Sequence, residues 1–182
     1  MQFRQTSLAG VVEIAIDWQR DARGSFARTF CRDEFGKHGL ETELAQCNVS
    51  HNPRVGTVRG LHLQAKPYQE AKLVQCVAGR LFDVVLDLRG GSPTYGRHHA
   101  VELSATEGHM LYIPRGCAHG FQTLENDTAI VYYISTPYAP VAARGVRWND
   151  PALRISWPLG EGVIVSEKDQ AWPLLANYAA DT

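Results

Sequence analysis

Short runs of alternating apolar and polar residues fill the middle of this chain, separated by Gly, Pro and Asn. The pattern predicts strands over 72–77, 80–88, 99–103, 109–113, 120–124 and 129–135. Residues 10–16 and 25–30 also read as extended. Lys72 to Val77 runs through Ala78-Gly79 into Arg80 to Leu88, which predicts a hairpin. Many short strands at a spacing of roughly 8–12 residues imply a sandwich or barrel and not alternating β and α units. Helix is scarce: it is expected over 31–37, near 150–153, and after Ser166, where Ser166-Glu167-Lys168-Asp169 can open a turn.

The period of two groups side chains by face. His62 goes with Gln64, Lys72 with Val74 and Cys76, Asp83 with Val85 and Asp87, and Tyr132 with Ile130 and Ile134. If the polar members point inward, several titratable groups converge on one cavity. An inward Asp83 then needs a partner, because a lone buried carboxylate costs several kcal/mol, and Lys72 is the candidate. The pattern equally allows these residues to face solvent on an outer sheet.

The chain has 182 residues, 45% of them hydrophobic, and a formal net charge of −1. This length suits one domain spanning 1–182 with a substantial core. A balanced charge argues against broad attraction to nucleic acid or membrane, so an anion site must be a local cluster of cations. With no membrane-length apolar run and no charged-then-apolar leader, a cytoplasmic protein is expected. Cys31, Cys47, Cys76 and Cys117 lack CxxC spacing and read as reduced packing residues.

The stretch Arg59-Gly60-Leu61-His62-Leu63-Gln64, then Glu70 and Lys72, is answered by Pro114-Arg115-Gly116-Cys117-Ala118-His119-Gly120-Phe121. These two glycine-punctuated segments resemble the paired signature of the cupin superfamily, which implies an all-β fold: a double-stranded β-helix, or jelly roll, with a few short peripheral helices. Many cupins hold a metal on His-x-His, Glu and a later His. Here Gln64, a poor ligand, takes the second place. His62, Glu70 and His119 remain as a metal alternative, with Arg59 and Lys72 beside them to repel a cation.

Further blocks follow in order: Lys72-Leu73-Val74, Asp83 to Arg89, Ser92-Pro93-Thr94-Tyr95-Gly96, Gly145-Val146-Arg147-Trp148-Asn149-Asp150-Pro151 and Ser166-Glu167-Lys168-Asp169. From about Arg23 to Asp169 the chain resembles the dTDP-4-dehydrorhamnose 3,5-epimerase family. The resemblance implies epimerisation of a nucleotide-linked 4-keto-6-deoxyhexose at C3, C5 or both, in deoxysugar biosynthesis, without metal or cofactor. Hydrogens flanking the ketone are acidic, so the site needs a base, an acid on the other face, and positive charge at the carbonyl oxygen.

By this resemblance His62 is the base and Asp169 orients it. Lys72 stabilises the enolate oxygen with Asp83 holding it, and Tyr132 is the acid. Arg59 and His119 serve the pyrophosphate, with Lys168 and Arg23 as lesser candidates. Gln46 and Asn48 line the sugar pocket, while Phe26 and Tyr138 are aromatic walls. A homodimer is implied, with Arg23 reaching into the partner's site. Each role competes with a plainer one: core histidine, surface ion pair or core aromatic.

The chain departs from the family pattern where Arg28 replaces a glutamate near the nucleotide. It also carries Tyr133 in place of a lysine, and Pro137 before Tyr138. Alternative readings are a single-position epimerase on another nucleotide sugar, a non-catalytic sugar-nucleotide-binding cupin, and the metal-dependent cupin.

Overall fold

The alternation closes into two facing sheets. In the computed structural model, which describes residues 1–179, the strands are β1 (Gln2–Gln5), β2 (Val12–Ala15), β3 (Gln19–Asp21), β4 (Gly24–Phe26), β5 (Gln46–Asn52), β6 (Thr57–Gln64) and β7 (Lys72–Ala78). They continue with β8 (Arg80–Asp87), β9 (His98–Ser104), β10 (His109–Ile113), β11 (Cys117–Thr123), β12 (Thr128–Ile134), β13 (Ala143–Gly145) and β14 (Ile164–Val165). One sheet has the order β1-β2-β10-β7-β12-β5. The other is β13-β6-β11-β8-β9, with β14 added parallel to β6. β3 and β4 pair with each other outside both sheets. This is the expected cupin-type jelly roll. Its short peripheral helices are α1 (Arg32–Lys37), α2 (Glu167–Gln170) and a few 3-10 turns, one of them over Pro151–Leu153.

The core between the sheets draws Val74, Cys76 and Ile130 from one side and Leu81, Val85 and Phe121 from the other. Outside the first sheet, α1 buries Phe35 against Val12, Leu73 and Tyr112. Outside the second, Leu153 and Val146 cover Leu61, Val84 and Leu86. Both outer faces are thus apolar, which leaves one end of the interior for polar chemistry.

Two expectations fail. β7 and β8 do not form a hairpin. β7 pairs with β10 and β12, and β8 with β9 and β11, so Ala78-Gly79 carries the chain from one sheet to the other. Gly79 takes φ +68° there, and a Cβ would meet Thr128 Oγ1 at 2.6 Å. A tight glycine link between two apolar runs does not reveal which sheet each run joins. The extended reading of 25–30 also shrinks to β4, with 27–30 outside any strand. In turn β5 is a strand whose mixed polar sequence hides it. It is an edge, and one side faces a polar cavity.

Strict alternation breaks at Gly60. Opposite β11, His62 pairs with His119 and Arg59 with Phe121, so three steps along β6 match two along β11. The extra residue is Gly60, at φ +126°. A bulge of this kind turns Arg59 and His62 to the same side while Leu61 enters the outer core. Space is as restrictive as φ, because a Cβ on Gly60 would lie 2.4 Å from Gly120 Cα.

Asp87 is fully buried away from the cavity. It accepts bonds from Arg89 Nη2 at 2.7 Å, Ser92 Oγ at 2.6 Å and Thr94 Oγ1 at 2.6 Å. Burial alone would raise its pKa, but these donors hold it well below the ordinary carboxylate range.

Two outcomes are expected. Gly60→Ala should destabilise the fold by more than about 4 kcal/mol, seen as loss of soluble protein or a collapsed melting temperature. For Asp87 the folded pKa lies below the unfolded one. Its contribution is therefore present above about pH 4 and is lost as pH falls through the folded value. Asp87→Asn should cost about 2–3 kcal/mol at neutral pH and flatten the acid limb of stability measured by denaturant titration.

Candidate active site

A cavity of about 460 Å³ opens at the polar end of the interior, within the size range of small-molecule sites. Each wall comes from a different element. β6 and β11 bring Arg59, His62 and His119, β5 brings Gln46, Asn48 and Ser50, and β7 and β12 bring Lys72 and Tyr132. The α2 segment adds Lys168, Asp169 and Trp172.

His62 Nε2 lies 2.6 Å from Asp169 Oδ1, with the His62 side chain 40% exposed and Asp169 buried. The N–H of this bond sits on Nε2, because Asp169 also accepts from the Gly60 backbone N–H at 3.3 Å and so acts as an ionised acceptor. Burial raises the Asp169 pKa, but the bonds from His62 and Gly60 pull it below its ordinary value overall. Asp169 is itself fixed by Ser166, whose Oγ accepts the Asp169 N–H at 3.1 Å as the cap of α2. With Nε2 engaged by Asp169, Nδ1 is the remaining ring nitrogen of a side chain that lines the cavity.

The carboxylate partners are rearranged from the expectation. Asp83 does not hold Lys72. It lies buried behind the cavity wall and bonds His119 Nε2 at 2.6 Å. Phe121, two residues from His119, is opposite Asp83 in the ladder, which puts Asp83 diagonal to the imidazole. Lys72 instead pairs with Glu70 Oε1 at 3.0 Å and donates to the His62 carbonyl at 3.1 Å. An ammonium has three protons, so one remains for the cavity.

Tyr132 faces the cavity, 5.8 Å ring to ring from His119, whereas Tyr133 points the opposite way and meets Thr29 Oγ1 at 3.2 Å. Burial, reinforced by the Asp83 charge, pushes the Tyr132 phenol far above its ordinary pKa, so it keeps its proton. Arg59 donates Nε to Asn52 Oδ1 at 2.9 Å, which points its terminal nitrogens elsewhere. Gln64 is no metal-type ligand either: its amide donates to the Tyr68 carbonyl and accepts the Ala139 N–H at 2.5 Å. Gln46 accepts the Tyr138 N–H at 2.8 Å. The two glutamines clamp the loop that carries Tyr138 past Pro137.

His62, Tyr132, Asp169, Lys72, Arg59, His119, Gln46, Asn48, Tyr138 and Lys168 all line this cavity. Arg23 and Phe26 do not. They lie on the exposed β3–β4 hairpin, Arg23 bonded to Asp21 and Phe26 75% exposed. Arg28 is also remote, pairing with Glu34. His62, Glu70 and His119 are each bonded to a different side chain, and among the described residues no group of three or more His, Cys, Asp or Glu is placed to hold a metal. Cys76 and Cys117 are packing residues as expected, their thiols pushed up to about 11 and about 12 by burial, but Cys47 is exposed.

Three cavity residues carried no sequence signal as such: Ser50, Glu70 as a lysine partner, and Trp172. Ser50 follows Gln46 and Asn48 at the strand period, and Trp172 stands one turn after Asp169. Both spacings become informative once the elements are known.

Comparisons with known proteins identify the family. The family model described as dTDP-4-dehydrorhamnose 3,5-epimerase matches residues 5–177. A dTDP-4-dehydrorhamnose 3,5-epimerase of Sinorhizobium fredii is 44% identical over 177 residues, covering 97% of this chain and 91% of the relative. The crystal structure of the corresponding enzyme from Elizabethkingia anophelis superposes with a TM-score of 0.93 at 37% identity, covering 98% of this chain and 99% of that one. The dTDP-6-deoxy-D-glucose-3,5-epimerase of Legionella pneumophila, solved in complex with dTDP-4-keto-L-rhamnose, gives a TM-score of 0.93 at 35% identity over 98% of this chain and 94% of that one. On the match from residue 5 to residue 177 and these likenesses, the chain belongs to the dTDP-4-dehydrorhamnose 3,5-epimerase family.

Proposed function

We propose that this protein epimerises a dTDP-linked 4-keto-6-deoxyhexose at C3 and C5 by proton abstraction and enolate formation, in deoxysugar biosynthesis. One observation carries the reading: His62 with its buried carboxylate, the Lys72 ammonium and a protonated Tyr132 share one cavity, with the base and the phenol on opposite sheets. The Legionella structure's bound dTDP-4-keto-L-rhamnose supports the choice of ligand.

His62 Nδ1 takes the proton from the carbon beside the ketone, and Asp169 stabilises the imidazolium that forms. The electron pair moves onto the carbonyl oxygen, where the free proton of Lys72 offsets the growing negative charge. Tyr132 then gives its phenolic proton to the opposite face of the carbon. Proton exchange with solvent resets both groups. Arg59 holds phosphate oxygens through its terminal nitrogens, with His119 and Lys168 beside it, and Tyr138 with Gln46 and Asn48 bounds the nucleotide-sugar. Asp83 acts behind His119 and touches no substrate.

The protein works as a homodimer in this reading. Support comes from the β3–β4 hairpin, which pairs with neither sheet and leaves Arg23 and Phe26 exposed, available to a partner's cavity.

Incubation with dTDP-4-keto-6-deoxyglucose in D₂O tests the reaction: deuterium is expected at C3 and C5 by NMR, and its absence from both would overturn the assignment. His62→Ala should slow that exchange by about 10³-fold or more while the affinity for dTDP stays within about threefold. Tyr132→Phe should behave differently. Exchange continues with return of the proton to the original face, so epimerised product falls by about 10²-fold or more relative to the wild type while deuterium still enters. Equal loss of both signals would place Tyr132 outside the acid role.

A further inference from the structure

Asp169 gives His62 one polar tether, and one hydrogen bond leaves an imidazole free to pivot about it. A second contact is present. Trp172 stands edge-to-face against the His62 ring, with centroids 6.0 Å apart and planes at 62°. Such tilted aromatic pairs are directional, worth about 0.5–1.5 kcal/mol beyond the area they bury. Both contacts arrive from a single segment: Ser166 caps α2, Asp169 lies within it, and Trp172 follows just past its end.

Trp172 is held rather than loosely placed. Its ring rests over Gly145, where a Cβ would come within 2.8 Å of the indole carbons, so only a glycine there admits it. Gly145 in turn pairs with His62 across the β13–β6 ladder, which fixes the indole to the strand that carries the base. The Lys168 ammonium lies 5.8 Å from the indole centroid, in cation–π range. The buried indole N–H lies close enough to the Asp169 carboxylate to help lower its pKa, though without the geometry of a full hydrogen bond, so the ring face against His62 remains its defined contact.

We infer that Trp172 is a positioning residue that fixes the direction in which His62 presents Nδ1 to the substrate. This deepens the proposed function and rests on His62 being the base. A proton acceptor displaced by about 1 Å can lose on the order of 10²-fold in rate, whereas binding of the remote nucleotide is unaffected. Trp172 therefore acts on turnover through His62 and not on affinity.

The experiment compares Trp172→Ala and Trp172→Phe in the C5 exchange assay, with melting temperature and dTDP binding measured on each. Trp172→Ala is expected to lower kcat by about 10- to 100-fold with KM moving less than about threefold. Trp172→Phe keeps a ring against His62 and should stay within about threefold of the parent kcat. If Trp172→Ala is not recovered folded, Trp172→Leu takes its place, supplying apolar bulk without a ring. A kcat unchanged in the Ala or Leu variant, a loss confined to KM, or a Phe variant as slow as the Ala or Leu variant each overturns the inference. His62→Ala run in parallel separates the two readings. Retained exchange there removes the base assignment itself, while lost exchange there with an unaffected Trp172→Ala removes only the role of Trp172.

Discussion

The contact of β6 with β11 at Gly60 and Gly120 is the constraint on which the site depends. A Cβ on either glycine would come within 2.6 Å of the facing strand's backbone. Because neither carries one, the strands meet closely enough for the bulge at Gly60 to form and still keep the ladder on both sides. The bulge does chemical work. It brings Arg59 and His62 onto one face of β6, opposite Phe121 and His119, where plain alternation would have sent one of the pair into the outer core. The Gly60 N–H, freed at that irregularity, becomes a donor to Asp169.

Charge in the cavity follows one design. Three basic groups have a carboxylate behind them: Asp169 for His62, Glu70 for Lys72 and Asp83 for His119. The buried Lys72 ammonium is tolerated because Glu70 pairs it, and each pairing also orients its basic group toward the cavity. The cost appears as orphaned oxygens, Glu70 Oε2 and Asp83 Oδ2, each buried with no bond to a described residue. A balanced overall charge therefore coexists with a local cluster of Arg59, Lys72 and Lys168 in one cavity, since arrangement and not net charge creates it.

Legibility in the sequence varied with how local each feature is. Helical starts at Asp150 and Ser166 were readable because their side chains cap the next residues' backbone N–H groups, a purely local interaction, whereas α1 after Cys31 has no side-chain cap. Strands β8, β9, β10 and β12 were readable from alternation. β5 was not, since an edge strand between a polar cavity and open solvent has no apolar face to announce it. An inward Asp83 was expected to need a partner, and the structure supplies His119 and not Lys72, because the ladder and not chain order decides what lies diagonally across. Trp172 was invisible for the same reason: its neighbour His62 is far away in sequence.

What the sequence by itself determined is the all-β class, the ordered motif blocks of the family, and the set of residue types able to move a proton next to a ketone. These depend on local pattern and residue chemistry. The tertiary structure alone decided that β7 and β8 enter opposite sheets, that Tyr132 and not Tyr133 faces the cavity, and that Arg23 and Phe26 lie outside it. It also decided which carboxylate holds which cation. Pairing partners and facing directions are properties of long-range contacts, and a period of two leaves a strand's neighbours and its choice of sheet undetermined until the whole chain has packed.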